Sequence, residues 1–114
     1  MKELIAQLET KSADLEEMSK LTVSKSFKKL ALALSDIYHD VAKELQYYDD
    51  ANLDLFIATY SARVDILEEL STIETKKKKS ARLSAQAFTY KKIVKSLEMC
   101  EKPVSKINLT KNAK

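Results

Sequence analysis

Not one glycine interrupts this chain of 114 residues, and its single proline stands at position 103. Glycine supplies the left-handed backbone on which tight hairpin turns, phosphate-cradling loops and strained nucleophile elbows depend. Without it, helices joined by short polar turns are what the chain can readily form. The apolar residues agree, because along most of the sequence they recur in steps of three and four, the spacing of one helical face.

Residues 2–19 carry Leu4, Ile5, Leu8, Leu15 and Met18 on one stripe, with Lys11 and Ser12 interrupting it. That gap predicts looser packing than in the helices that follow. "KLTVSKS" (Lys20 to Ser26) reads as a turn in which Thr22 or Ser24 caps the next helix by accepting from an orphan backbone N–H. From there Phe27, Leu30, Leu34, Ile37 or Tyr38, Val41, Leu45 and Tyr48 make a regular face. Asp36, Asp40 and Glu44 form an acidic ridge on another side, where like charges four apart repel unless something positive faces them.

"YYDDANLD" (Tyr47 to Asp54) reads as the tightest connection, since Asp49, Asp50 and Asn52 can bond back to the backbone. The third stripe runs Leu53, Phe56, Tyr60, Val64, Leu67, Leu70, Ile73. "STIE" (Ser71 to Glu74) has capping-box spacing, so the helix can restart there or run on unbroken. Unbroken from about residue 52 to 102, it would be a rod of roughly 75 Å that only a dimer could cover. The last stripe carries Leu83, Ala87, Tyr90, Val94 and Leu97 before Pro103, which lacks the helical N–H donor and restricts Lys102, predicts a stop. The expected fold is all-α: three to four long antiparallel amphipathic helices, as a helical bundle or an elongated coiled-coil-like dimer. Residues 1–103 are read as the bundle domain, and 104–114 as a flexible or loosely docked tail with Val104, Ile107 and Leu109 as its apolar contacts.

Motifs for chemistry are missing from the sequence. His39 follows Asp36 by three residues, but a carboxylate-bridged metal bundle needs further carboxylates and a second histidine, and there is only one. A nucleophile needs a base that is itself oriented, and no spacing ties His39 to a serine. No P-loop, dinucleotide fingerprint, paired-cysteine or zinc-protease motif occurs. The reading is therefore a non-enzyme without metal, cofactor or small-molecule substrate. Cys100, alone, cannot form an intrachain disulfide and suits a reducing compartment. "MKELIAQLETK" has no continuous apolar run that would make a signal or a membrane span, so a cytoplasmic location is expected.

Charge is the strongest feature outside the periodicity. Through Glu74 there are eight Lys or Arg against fifteen Asp or Glu, a net of −7; from Thr75 onward there are twelve against two, a net of +10, and the halves make the chain's +3. The excess centres on Lys76, Lys77, Lys78, Lys79 and Arg82 and continues at Lys91, Lys92 and Lys95. Four successive lysines on a helix turn by about 100° each and circle its axis. One of them must then face the apolar side, or all sides are wet because the helix end lies outside the packing.

Three partners fit such a segment. Packed on the chain's own acids or on those of a second copy, it would find Asp36, Asp40, Glu44, Asp65, Glu68 and Glu69 as counter-charges. It could instead bind phosphates of nucleic acid without sequence preference, since Arg63 and Arg82 are the only arginines available for bidentate base reading. Or it could meet an anionic membrane surface, where each lysine contributes up to about 1 kcal/mol. The first is preferred: a helical protein-protein interaction module, adaptor-like and homo-oligomeric, presenting a charged amphipathic surface to a protein. Tyr47, off the apolar stripe that Tyr48 continues, joins Asp36, Asp40 and Glu44 as its candidate interface.

Overall fold

The computed structural model describes residues 1–47 and 52–112, with side chains through Cys100. Among the described residues four helices follow one another: α1 (Lys2–Leu21), α2 (Lys25–Leu45), α3 (Leu53–Ile73) and α4 (Lys77–Asn112). No strand occurs among the described residues, and the all-α bundle expected from the periodicity is the architecture observed. Of the connection expected at "YYDDANLD", Tyr48 to Ala51 lie outside the described residues.

The helices form two antiparallel hairpins, α1 with α2 and α3 with α4, joined chiefly where α2 lies along α4. Those two helices run parallel: the start of α2 (Ser24, Phe27, Lys29) meets the start of α4 (Lys78, Arg82), and Tyr38 farther along meets Ile93. The turns at residues 22–24 and 74–76 therefore share one pole of the bundle. The beginning of α1 lies beside the far part of α4, at Ser96 and Cys100.

Local chemistry explains the ends of the elements. Ser24 caps α2, its hydroxyl accepting from the Phe27 N–H at 3.2 Å, and the Thr22 hydroxyl accepts from the Ser24 N–H at 3.2 Å. The open question about residues 52–102 is resolved as two helices. α3 ends at Ile73, Glu74 is extended, and the Glu74 carboxylate accepts from the Lys76 N–H at 3.1 Å. The restart falls at Lys77 rather than at Ser71. Ser71 instead fastens the hairpin: its hydroxyl donates to the Ser80 carbonyl at 2.9 Å, and the Ser80 hydroxyl donates back to the Ser71 carbonyl at 2.8 Å.

The same reciprocal device ties α1 to α2. Ser12 donates to the Ser35 carbonyl at 3.0 Å and Ser35 donates to the Ser12 carbonyl at 2.8 Å, both side chains buried. The expected weak point at Ser12 is thus a cross-link, because a small hydroxyl lets two backbones approach and satisfies itself on the facing carbonyl. A second expectation also changes. α4 continues through Pro103 to Asn112, past the predicted stop, and so enters the segment read as a tail. A proline removes one helical hydrogen bond and crowds the preceding turn, which bends a helix as readily as it ends one.

The contiguous core occupies the half of the bundle away from the lysine turn. Leu4 and Leu8 of α1, Ile37, Tyr38, Val41, Ala42 and Leu45 of α2, Leu53 and Tyr60 of α3, and Ile93 and Leu97 of α4 bury one another there. Ile93 joins this core although the stripe read from the sequence passes it by. Toward the opposite pole the same stripes come to the surface: Met18, Phe27, Leu70 and Ile73 are all exposed.

Candidate functional site

The basic residues singled out by sequence separate into two groups. Lys76, Lys77, Lys78 and Lys79 are all exposed, in the turn and the first turn of α4, so every side of the run is wet and none of the four is driven into the packing. Among the described residues none of them forms an ion pair. Arg82, half-buried, lines a shallow cleft with Lys78 and with Ser24, Phe27 and Lys29 of α2. Lys91, by contrast, is engaged: its Nζ lies 2.7 Å from a Glu68 carboxylate oxygen, the one ion pair between the basic segment and the acidic helices among the described residues. Lys92 stands over the Phe88 ring at 5.2 Å, and Lys95 is exposed.

The lysine turn is not alone at its pole. Lys25, Lys28 and Lys29 open α2 beside it, all exposed, and neither α2 nor α4 has an acidic residue in its first turn. Helix N-termini carry partial positive charge and favour acids, so lysines there work against helix stability. Both dipoles point their positive ends at the same pole as seven exposed lysines. This clustering was invisible in the sequence, where the two lysine groups stand about fifty positions apart. Its only signal there was a missing acid after each turn.

The acidic candidates are divided as well. Asp36 and Asp40 are exposed and, among the described residues, make no ion pair. Glu44 is taken up inside the chain. It accepts from the Tyr60 hydroxyl at 2.9 Å and lies 3.7 Å from the Arg63 guanidinium, which reaches the Tyr90 hydroxyl at 3.4 Å. Phe56, Tyr60 and Tyr90 stack in succession, with ring centroids 6.1 Å and 5.9 Å apart, and Arg63 covers Tyr60 and Tyr90 at 5.3 Å and 5.6 Å. Burial first, and then the Glu44 bond and charge, push the Tyr60 phenol well above the ordinary tyrosine range. A phenol held in its neutral form this way is a structural donor and a poor acid or nucleophile.

Tyr47 is exposed at 78% just past α2, near the pole opposite the lysines. His39 is exposed with its Nδ1 3.2 Å from the Glu9 carboxylate. Among the described residues no three His, Cys, Asp or Glu side chains converge on a point where they could hold a metal ion. No described helix is long and apolar enough to cross a membrane.

The feature that the reading of single stripes missed is on α3. Leu53, Tyr60 and Val64 face the core, yet Leu55, Ala62, Ile66 and Ile73 lie on the opposite side and are exposed, Leu55 at 66% and Ile66 at 57%. With Thr59 and Glu69 they repeat in steps of four, three, four, three and four, the spacing of a coiled-coil seam. An apolar cleft lined by Ile37, Arg63, Leu67 and Tyr90 opens beside Ile66, where α3 stands away from α2. Comparison with known proteins adds no relative, since no family model, curated protein or solved structure matches this chain.

Proposed function

We propose that this chain is a non-enzymatic helical interaction module that pairs with a second copy of itself through the outer face of α3. The observation that carries the reading is the exposed seam Leu55, Ala62, Ile66, Ile73 on a helix whose other face is already buried. A helix apolar on two sides is suited to contacts on both.

The seam is complementary to its own reverse. In an antiparallel pair Leu55 meets Ile73, small Ala62 meets larger Ile66, and the Thr59 hydroxyl meets the Glu69 carboxylate. Such self-complementarity is the property of a two-fold interface. Antiparallel pairing also sends the two lysine poles to opposite ends, where they do not repel. Asp54, Asp65 and Glu69 flank or interrupt the seam, so added salt strengthens the pair by screening them. Such a paired module would act as an adaptor in the cytoplasm, the compartment that an exposed free Cys100 suits.

Light scattering after size exclusion tests this. The expected result is a dimer that persists as salt rises, and a helical monomer for Ile66→Glu. A wild-type chain that stays monomeric at every concentration and salt sinks the reading, as does an Ile66→Glu chain that still dimerises.

A further inference from the structure

We propose that the lysine pole docks on an anionic lipid surface, with aliphatic side chains of its two turns entering the headgroup boundary. Two independent kinds of residue meet there. The first is charge: Lys25, Lys28 and Lys29 open α2 and Lys76 to Lys79 open α4, exposed and without ion pairs among the described residues. The acids nearest in the chain are committed or few. Glu16 pairs with Lys20, Glu68 with Lys91, the Glu74 carboxylate is bonded to the Lys76 N–H, and Glu17 and Glu69 remain.

The second kind is apolar. Val23 is fully exposed at 101%, Leu21 is exposed at 78% and Ile73 at 68%. All three sit in or beside the turns at residues 22–24 and 74–76, which the parallel course of α2 and α4 brings to one pole. Single exposed aliphatics are common on protein surfaces. Three at the tips of two adjacent turns, encircled by lysines, make an arrangement with one direction of approach.

That combination selects the partner. A lipid surface with anionic headgroups attracts the lysines over about a Debye length and then takes the aliphatic tips into its acyl boundary. Nucleic acid would use the lysines and leave Leu21, Val23 and Ile73 in water. Lysine rather than arginine dominates the pole, which suits a diffuse field of charge and not bidentate reading. The local energetics point the same way, since lysines at two helix N-termini oppose the dipoles and are relieved when an anionic surface faces them. The stripes of Met18, Phe27 and Leu70 also surface at this pole, leaving further apolar area near the contact.

Ile73 also ends the α3 seam, so the lipid contact is carried by Leu21 and Val23, which lie outside α3 and stay exposed whether or not that helix pairs. The test is co-sedimentation of the full chain with vesicles of phosphatidylcholine alone and of phosphatidylcholine mixed with phosphatidylserine, with a DNA duplex in a parallel arm. The expected result is binding to the phosphatidylserine vesicles only, weakened about fivefold for each of Lys76→Gln and Lys78→Gln. Leu21→Ser with Val23→Ser should weaken it by about tenfold or more. Circular dichroism of these surface variants reports that the helices are retained. No binding to phosphatidylserine vesicles overturns the proposal. So does binding that ignores the Leu21 and Val23 changes while duplex DNA binds more tightly than the vesicles, an outcome that assigns the pole to nucleic acid.

Discussion

The Tyr60 hydroxyl donates to the Glu44 carboxylate at 2.9 Å and thereby ties α3 to α2 along a line where the two helices otherwise stand apart. Arg63 closes the arrangement by lying 3.7 Å from the same carboxylate and covering the Tyr60 ring. These polar contacts join the two hairpins in addition to their shared apolar core and the α2–α4 packing.

Replacing Tyr60 by Phe keeps the ring stack and deletes the bond, so a loss of about 1 kcal/mol is expected in urea unfolding. The pH dependence is more specific. The folded chain holds the phenol proton to higher pH than the unfolded chain does. This contribution is complete below about pH 10, the ordinary tyrosine value, and declines as pH rises beyond it, because there the unfolded chain has lost a proton that the folded one retains. Tyr60→Phe should therefore flatten the alkaline fall in stability. Identical slopes for the two proteins would contradict this account.

The reciprocal serines make a second expectation. Ser12→Ala leaves the Ser35 hydroxyl bonded to the residue 12 carbonyl but removes the return bond, for a loss of about 1 kcal/mol. Ser12→Leu, which would improve the apolar stripe on paper, places a large side chain between two close backbones and should cost about 1–3 kcal/mol. Thermal unfolding ranks the two, and a Leu variant more stable than wild type would refute the cross-link.

Two leucines separate core from seam. Leu97 is completely buried, and Leu97→Ala should lose about 2–5 kcal/mol. Leu55→Ala should change the stability of the isolated monomer by less than about 0.5 kcal/mol while weakening its self-association. Chemical unfolding at low protein concentration checks the first, and sedimentation the second.

Charge reversal at the lysine turn should have opposed effects. Lys77→Glu puts an acid in the first turn of α4, where it suits the helix dipole, and the melting temperature should rise by roughly a few degrees. The same change should weaken binding to phosphatidylserine vesicles. A variant that melts lower, or that binds those vesicles as well as wild type, would count against the electrostatic reading of the pole.

Much of the helical content was legible from single residues. Of the two hydroxyls read as caps, Thr22 or Ser24, Ser24 is the one that caps α2, and the steps through Tyr38, Val41 and Leu45 mark a face that is buried. Other readings needed the partner helix. Ser12 looked like a gap because nothing in its own helix shows that Ser35 faces it. Ile93 was left off the stripe drawn through Tyr90 and Val94, whereas α2 approaches from its side at Tyr38. Ile73 was read as the end of the Leu53 stripe, yet steps of about 100° per residue carry it round to the outer face of α3, where it is exposed.

The sequence by itself determined the fold class, the capped start of α2, the absence of a recognisable catalytic motif and the concentration of positive charge after Thr75. These follow from local rules: the 3.6-residue period, the hydroxyl at a cap, and the lack of glycine and of paired ligands. Only the tertiary structure decided that Lys28 and Lys78 share a pole, that Glu44 belongs to Tyr60, and that α3 keeps an uncovered seam. Each of those depends on which helices run side by side and in which direction, and that is set by the summed burial of faces contributed by residues far apart in the chain.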